Sequence, residues 1–348
     1  NSGGDCPGLN AVIEGVVGAA SRRGWNVVGF YDGFEGLLSE EGDDRFEWLT
    51  PAACRGLRAK GGTILGTVNK GNFAIKVGVD QKGAIEPAVL EKTKATVRRL
   101  GLDALIVVGG DGSQSTALLL SEIGLPVVGV PKTIDNDINF IPQSFGFETA
   151  VFKATEAIEC AHTEACGVPN GIGLVKLMGR ESGFIAARAA LALKEVNFVL
   201  IPEAPFSLEG EGGLLPALEE RLKSRGHAVI VAAEGAGQHL LAEQSGTDAS
   251  GNPVLGDISE LLRTFINTYL DARGMAHSIK YIDPSYIIRS IPANANDKLV
   301  ELAKDPANWV MTGRDYNEQN YSEMTDINKE NVKKLRPADL EHLSLRQA

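Results

Sequence analysis

Cysteine is scarce: Cys6, Cys54, Cys160 and Cys166 are too few and too scattered to staple 348 residues. That excludes a disulfide scaffold and fits a reducing compartment, the cytoplasm. Positive charge is also short. Lys and Arg number 34 against 45 Asp and Glu, a formal net charge of -11. No Lys/Arg cluster stands out, which argues against a nucleic-acid-binding face. An anionic ligand would have to be met by a few cations gathered locally. Long apolar runs are missing too: none approaches the ~20 residues that span a bilayer, and no signal peptide is legible. Internal repeats and low-complexity tracts are likewise absent.

What is present is an ordinary globular composition, 43% hydrophobic and 23% charged, in a chain long enough for two hydrophobic cores. Apolar, β-rich runs predict strands at Trp25–Phe30, Ala104–Val108, Pro126–Val130, Gly171–Met178, Phe198–Ile201 and Ala228–Ala233. Their near-continuous apolar character suits parallel strands covered on both faces. Helical patterns fall between them at Leu9–Arg23, Ala88–Leu100, Gln114–Ile123, Glu148–Cys166, Glu181–Leu193 and Leu214–Arg225. Gly24, Gly101, Gly124 and Gly226 supply the expected stops. Such alternation predicts a doubly wound α/β architecture. The stretch Glu243–Asp257 reads as an exposed loop, and the tail after Met324 as loosely packed. The chain opens inside a glycine-rich turn, for which a feeding strand is expected upstream.

Ligands of such sheets bind at the carboxyl ends of strands, and the polar words of this sequence fall there. Asn1-Ser2-Gly3-Gly4-Asp5 opens into a helix, where free backbone N–H groups and the helix dipole favour an anion. Gly109-Gly110-Asp111-Gly112-Ser113 repeats the device and adds a carboxylate. Magnesium takes one or two carboxylates besides phosphate oxygens, so Asp111 is the metal candidate. This second word also fits NAD kinases and lipid kinases. Lys132-Thr133-Ile134-Asp135-Asn136-Asp137 offers a carboxylate to accept a hydroxyl proton, with Lys132 and Thr133 to touch phosphate oxygens. Read alone, it is equally a helix-capping Asp-Asn-Asp turn. Met178-Gly179-Arg180 ends a strand, and Arg180 can span a phosphate bidentately.

Together, SGGDCPGLNAVI, GGDGS, PKTIDND, GFETA, MGRESGFIAARAA and VAAEGAG, in that order, resemble the 6-phosphofructokinases from Ser2 to at least Asp297. The resemblance implies two Rossmann-like parallel-sheet domains with the active site between them. The first would span 1–147 and resume at about 297–325; the second would span 148–296, with 326–348 as a tail. It implies magnesium-dependent transfer from ATP to the 1-hydroxyl of fructose 6-phosphate by a homodimer or homotetramer. Asp135 becomes the general base, with Thr133, Asp137, Lys132 and Arg180 around it. Gly4, Gly110, Asp111, Gly112 and Ser113 hold ATP. Met178, Gly179, Arg180, Glu234, Tyr286 and Arg289 hold the sugar phosphate, and Lys298 stands where the family has another cation.

Pyrophosphate-using members commonly carry aspartate where this chain has Gly112, whose openness favours ATP. Lys132 points the other way, being common to pyrophosphate enzymes. Gly with Lys resembles the ATP-using plant and trypanosomatid branch. A pyrophosphate enzyme, an NAD kinase and a non-catalytic regulatory subunit remain the rivals; Asp111 and Asp135 are both kept, against the last. Effector arginines of the bacterial enzymes are replaced by Glu14 and Gly18, and Gly171 replaces an arginine that reaches a neighbouring subunit there. Cys160, His162 and Cys166 could suggest a metal. Cys160 and His162 fall on nearly opposite helix faces, and His162 borders the stripe Val151, Ala154, Ile158, Ala161 and Ala165, so a core-edge histidine is the reading.

Overall fold

The computed structural model describes residues 1–293 apart from 44, 69–70, 74–84, 242–245 and 247–253. Lys298, the return of the first domain at about 297–325, the tail after Met324 and most of the loop Glu243–Asp257 lie outside the described residues.

Two parallel sheets carry the molecule. In the first, β3 (Leu105–Gly109) pairs with β4 (Val127–Thr133), which pairs at its end with β5 (Phe145–Gly146). The second has the order β7 (Phe198–Leu200), β8 (His227–Ala233), β6 (Gly171–Leu177), β9 (Ser278–Ile282), all parallel. One expectation fails at the start of the chain. The strand at Trp25–Phe30 is β1 (Val27–Phe30), and it is half-exposed and antiparallel to β2 (Phe46–Leu49). A connection of 15 residues with a tight 3-10 segment brings β2 back beside β1, as an antiparallel return allows.

The central strands β6 and β8 of the larger sheet are buried on both faces, their apolar runs broken only at Lys176 and His227. Val175, Leu177, Val229 and Val231 face α4 (Phe147–Cys166) and α5 (Phe184–Ala192). Ile172, Leu174, Ala228 and Ile230 face α6 (Leu214–Arg225) and α7 (Ile258–Asp271). The stripe Val151, Ala154, Ile158, Ala161 and Ala165 is buried as its helical spacing requires. Gly171 lies where a Cβ would run into the Ala165 carbonyl, so α4 and β6 approach through a position that admits no side chain. α1 (Leu9–Arg22), α2 (Pro87–Arg99) and α3 (Asp111–Glu122) complete the first half.

Three boundaries shift in ways that matter for the site. α3 starts at Asp111 instead of Gln114, so Asp111, Gly112 and Ser113 form its first turn; that turn has free N–H groups and tolerates small polar residues. β4 runs on to Thr133 instead of ending at Val130, because Lys132 and Thr133 pair with β5. α5 starts at Phe184, not Glu181, since the Glu203 carboxylate accepts the Gly183 N–H at 2.8 and 3.0 Å and caps the helix there.

Candidate active site

The first chemical group at the strand ends is the opening turn. Its Ser2 N–H donates to the Val108 carbonyl at 3.0 Å, which lays residues 1–4 along the end of β3. Gly3 has a φ of +89°, a left-handed conformation that a glycine adopts freely. A Cβ there would lie 3.7 Å from Ser113 Oγ and 3.8 Å from Lys132 Nζ. Gly3, Ser113 and Lys132 therefore line one cradle, with Gly110 at the N-cap of α3. The space in front of Gly112 is open: a Cβ there meets nothing within 4 Å.

Lys132 is 4% exposed, and its ammonium donates to the Gly4 carbonyl. Burial lowers its pKa, while Cys6, Asp5 and Asp135 favour the charged form and Arg289 opposes it. Thr133 Oγ1 accepts the Asp135 N–H at 3.1 Å, and its carbonyl accepts the Ser144 hydroxyl at 2.6 Å. Asn136 is left-handed at φ +55° and accepts the Ser144 N–H at 2.8 Å. The Asp-Asn-Asp segment is thus a turn, but it caps no helix, α4 starting only at Phe147. It aims Asp135 inward, and the Ser182 hydroxyl ties the Asp135 carbonyl to the β6–α5 loop at 3.0 Å.

Asp135 Oδ1 is buried and has no hydrogen-bond partner among the described residues; Arg289 Nε shares that condition. An unsatisfied buried polar group costs about 1–3 kcal/mol, so two at one place mark a site kept for something else. Burial pushes the Asp135 carboxyl up to about 7, Asp137 and Glu234 push the same way, and Arg289 and Arg180 pull it down. These interactions place Asp135, Asp137, Glu234, Arg180 and Arg289 in one electrostatic neighbourhood. Burial also raises Glu234, against the pull of Arg180 and a hydrogen bond from the Gly179 backbone. Partial desolvation raises Asp137, and Asp111 and Glu181 add repulsion.

The sugar-phosphate words converge on the same place. Glu234 N–H donates to the Leu177 carbonyl at 2.8 Å and Gly235 N–H to the Gly179 carbonyl at 3.0 Å, so the loops after β6 and β8 are laced together. A Cβ on Gly235 would strike the Arg180 carbonyl. Met178 is partly buried and packs on the core. Arg289 lies over the exposed Tyr286 ring, 4.6 Å from its centroid, and its guanidinium lies 3.7 Å from where a Gly4 Cβ would be. Sequence reading gave no role to Ser182, Glu203 or Ser144; Ser182 lies within MGRESGFIAARAA and the other two outside the family words, and their partners stand 47, 20 and 11 residues away. Glu14 accepts the Arg58 N–H at 2.8 Å and pairs with its guanidinium, so its carboxylate is already engaged. Among the described residues, no helix is long and apolar enough to cross a membrane.

The family model described as Phosphofructokinase matches residues 1–303. The ATP-dependent 6-phosphofructokinase of Amycolatopsis methanolica is 46% identical over 329 residues, which is 90% of this chain and 68% of that protein. ATP-dependent 6-phosphofructokinase 7 of Arabidopsis thaliana is 41% identical, over 89% of this chain and 63% of that protein. The ATP-dependent 6-phosphofructokinase of Trypanosoma brucei brucei is 41% identical, over 85% and 59%. The chain thus spans 59% to 68% of the length of these relatives. Among solved structures, Pichia pastoris phosphofructokinase in the T-state superposes with a TM-score of 0.65 at 25% identity, over 84% of this chain and 29% of that one. The pyrophosphate-dependent phosphofructokinase of Marinobacter aquaeolei gives 0.61 at 23% identity, over 83% and 68%, a likeness of fold.

Proposed function

The chain belongs to the phosphofructokinase family, and we propose that it transfers the terminal phosphoryl group of ATP to the 1-hydroxyl of fructose 6-phosphate, giving fructose 1,6-bisphosphate and ADP. The observation that carries this reading is the buried, unpartnered Oδ1 of Asp135, set where the ends of both sheets meet.

Asp135 takes the proton of the 1-hydroxyl as that oxygen attacks phosphorus. A carboxyl held near 7 is matched to that task at neutral pH. Arg289, over Tyr286, receives the 6-phosphate, and Glu234 accepts from sugar hydroxyls beside Met178 and Gly179. Arg180 neutralises charge on the moving group. On the donor side, Gly4, Gly110, Gly112 and Ser113 give the phosphates backbone N–H groups and the α3 dipole, with Lys132 and Thr133 alongside. Asp111 and Asp137 are hard oxygen donors that repel one another, a set that fits magnesium. When bound at Asp111 with the donor phosphates, magnesium would supply charge neutralisation.

The open space at Gly112 and the names of the relatives favour ATP over pyrophosphate. Donor binding is assigned to 1–147 with about 297–325, and sugar binding to 148–296. A cytoplasmic homodimer or homotetramer completes the proposal. The test is steady-state turnover of Asp135→Asn with ATP, fructose 6-phosphate and magnesium. A loss of at least about a hundredfold in kcat, with sugar-phosphate affinity kept within a few fold, is expected. Turnover equal to wild type would remove Asp135 from the role.

A further inference from the structure

A second group of reactive side chains lies at the other end of the larger sheet, away from the carboxyl ends. α4 ends at Cys166 and β8 begins at His227. One ligand atom from each of His162, Cys166 and His227 can be chosen so that all three lie within 4.8 Å of one another. His162 and Cys166 are four residues apart on α4 and so share a face; His162 Nε2 is 3.3 Å from Cys166 Sγ. The rings of His162 and His227 have centroids 5.3 Å apart.

The chemistry of this trio is specific. His227 Nδ1 is 3.2 Å from the Arg225 carbonyl. A carbonyl only accepts, so Nδ1 carries the proton and the neutral ring offers its lone pair at Nε2. Histidines that bind metals are commonly oriented in this way. The Arg221 Nε–H donates to the His227 carbonyl at 3.2 Å and fixes the backbone at the same residue. Zinc bound by a thiolate at ~2.3 Å and an imidazole at ~2.0 Å sets sulfur and nitrogen roughly 3.5 Å apart in a tetrahedron, close to the separation seen. Two nitrogens and one sulfur suit a borderline-soft ion, whereas magnesium prefers oxygen. Cys166 is exposed and the histidines are half-buried, which gives an ion an entry path and a solvent ligand.

We propose that His162, Cys166 and His227 form a binding site for a zinc-class divalent cation, with water as the fourth ligand. Binding converts the Cys166 thiol to a thiolate and releases its proton to solvent. The ion ties the end of α4 to the start of β8, so it acts on stability and leaves the phosphoryl-transfer chemistry untouched. The pairing was hidden in the sequence because Cys160, which faces elsewhere, is the nearer cysteine to His162, and His227 comes 61 residues after Cys166.

Cobalt(II) titration of the full chain, with excess magnesium present, tests this. Expected are one equivalent bound, the strong visible absorption of tetrahedral cobalt and a near-ultraviolet thiolate-to-cobalt band, all displaced by zinc. Cys166→Ser should lose the thiolate band and Cys160→Ser should keep it. His227→Ala should weaken binding by about tenfold or more. Zinc should raise the melting temperature of the wild type and not of Cys166→Ser. Absence of the thiolate band in the wild type, or its survival in Cys166→Ser, would overturn the site. Cys166 is exposed, so its serine variant decides the matter even if His227→Ala does not fold.

Discussion

At Asp135, the burial that prepares a base also works against folding. With its carboxyl near 7 in the native state against 3.8 for an ordinary aspartate, the native protein binds more protons than the unfolded chain between roughly pH 4 and 7. Stability therefore falls as pH rises through that window, and the penalty is fully present above it. Asp135→Asn should stabilise the fold at pH 8 by on the order of a few kcal/mol, read as a higher melting temperature, while turnover collapses. Equal melting temperatures at pH 8 would contradict the burial argument. If the ionised form is the base, as proposed, kcat/KM should decline as pH drops below about 7. Arg289 holds this carboxyl down, so Arg289→Gln should move that acid limb to higher pH and raise the KM for fructose 6-phosphate about tenfold or more. A pH profile unmoved by Arg289→Gln would separate the two groups. Most candidate residues were legible as short words at strand ends, while Tyr286 and Arg289 lie in and just after a 3-10 turn beyond β9. Their supports were not: Ser182 reaches Asp135 across 47 residues and Ser144 reaches Thr133 across 11, and no local pattern announces such contacts.

At the scale of elements, α4 against β6 shows how a glycine carries packing. Gly171→Ala would place a methyl against the Ala165 carbonyl. It should destabilise the protein by about 1–3 kcal/mol, as overpacking does, read as a lower denaturation midpoint in urea with an unchanged slope. A side chain as long as arginine cannot be placed here without moving α4. Helices with one clear apolar stripe were placed within a few residues, and Leu214–Arg225 without error. α7 was missed although Ile258, Leu262, Ile266 and Leu270 repeat every fourth residue behind the N-cap Asp257; the signal existed and the preceding loop composition masked it. β2 has only four residues and β9 is half-buried throughout, so neither has a strong alternation to read. The laced loops after β6 and β8 give another test. Gly235→Ala should displace Arg180 and raise KM for the sugar phosphate with little loss of global stability, and an unchanged KM would show that the Arg180 loop tolerates the shift.

Across the whole molecule, the proposed function has an acidic chain meet two anionic substrates through Lys132, Arg180 and Arg289, concentrated at one end of two sheets, where the field is local and focused. That plan could be read from the order of the strand-end words. The strand order β7-β8-β6-β9 could not, because pairing between strands tens of residues apart leaves no trace in local composition. The donor is likewise a property of the assembled site. In the proposed function Gly112, where a Cβ would meet nothing within 4 Å, leaves space for a nucleotide, and Lys132, held by the Gly4 carbonyl, lines the donor cradle.

Phosphorus NMR of the protein with fructose 6-phosphate and magnesium, run in parallel with ATP and with pyrophosphate, tests this account most directly. It predicts fructose 1,6-bisphosphate and ADP in the ATP sample, formed faster than any product in the pyrophosphate sample. A sugar bisphosphate formed with pyrophosphate alone, or with neither donor, would contradict it.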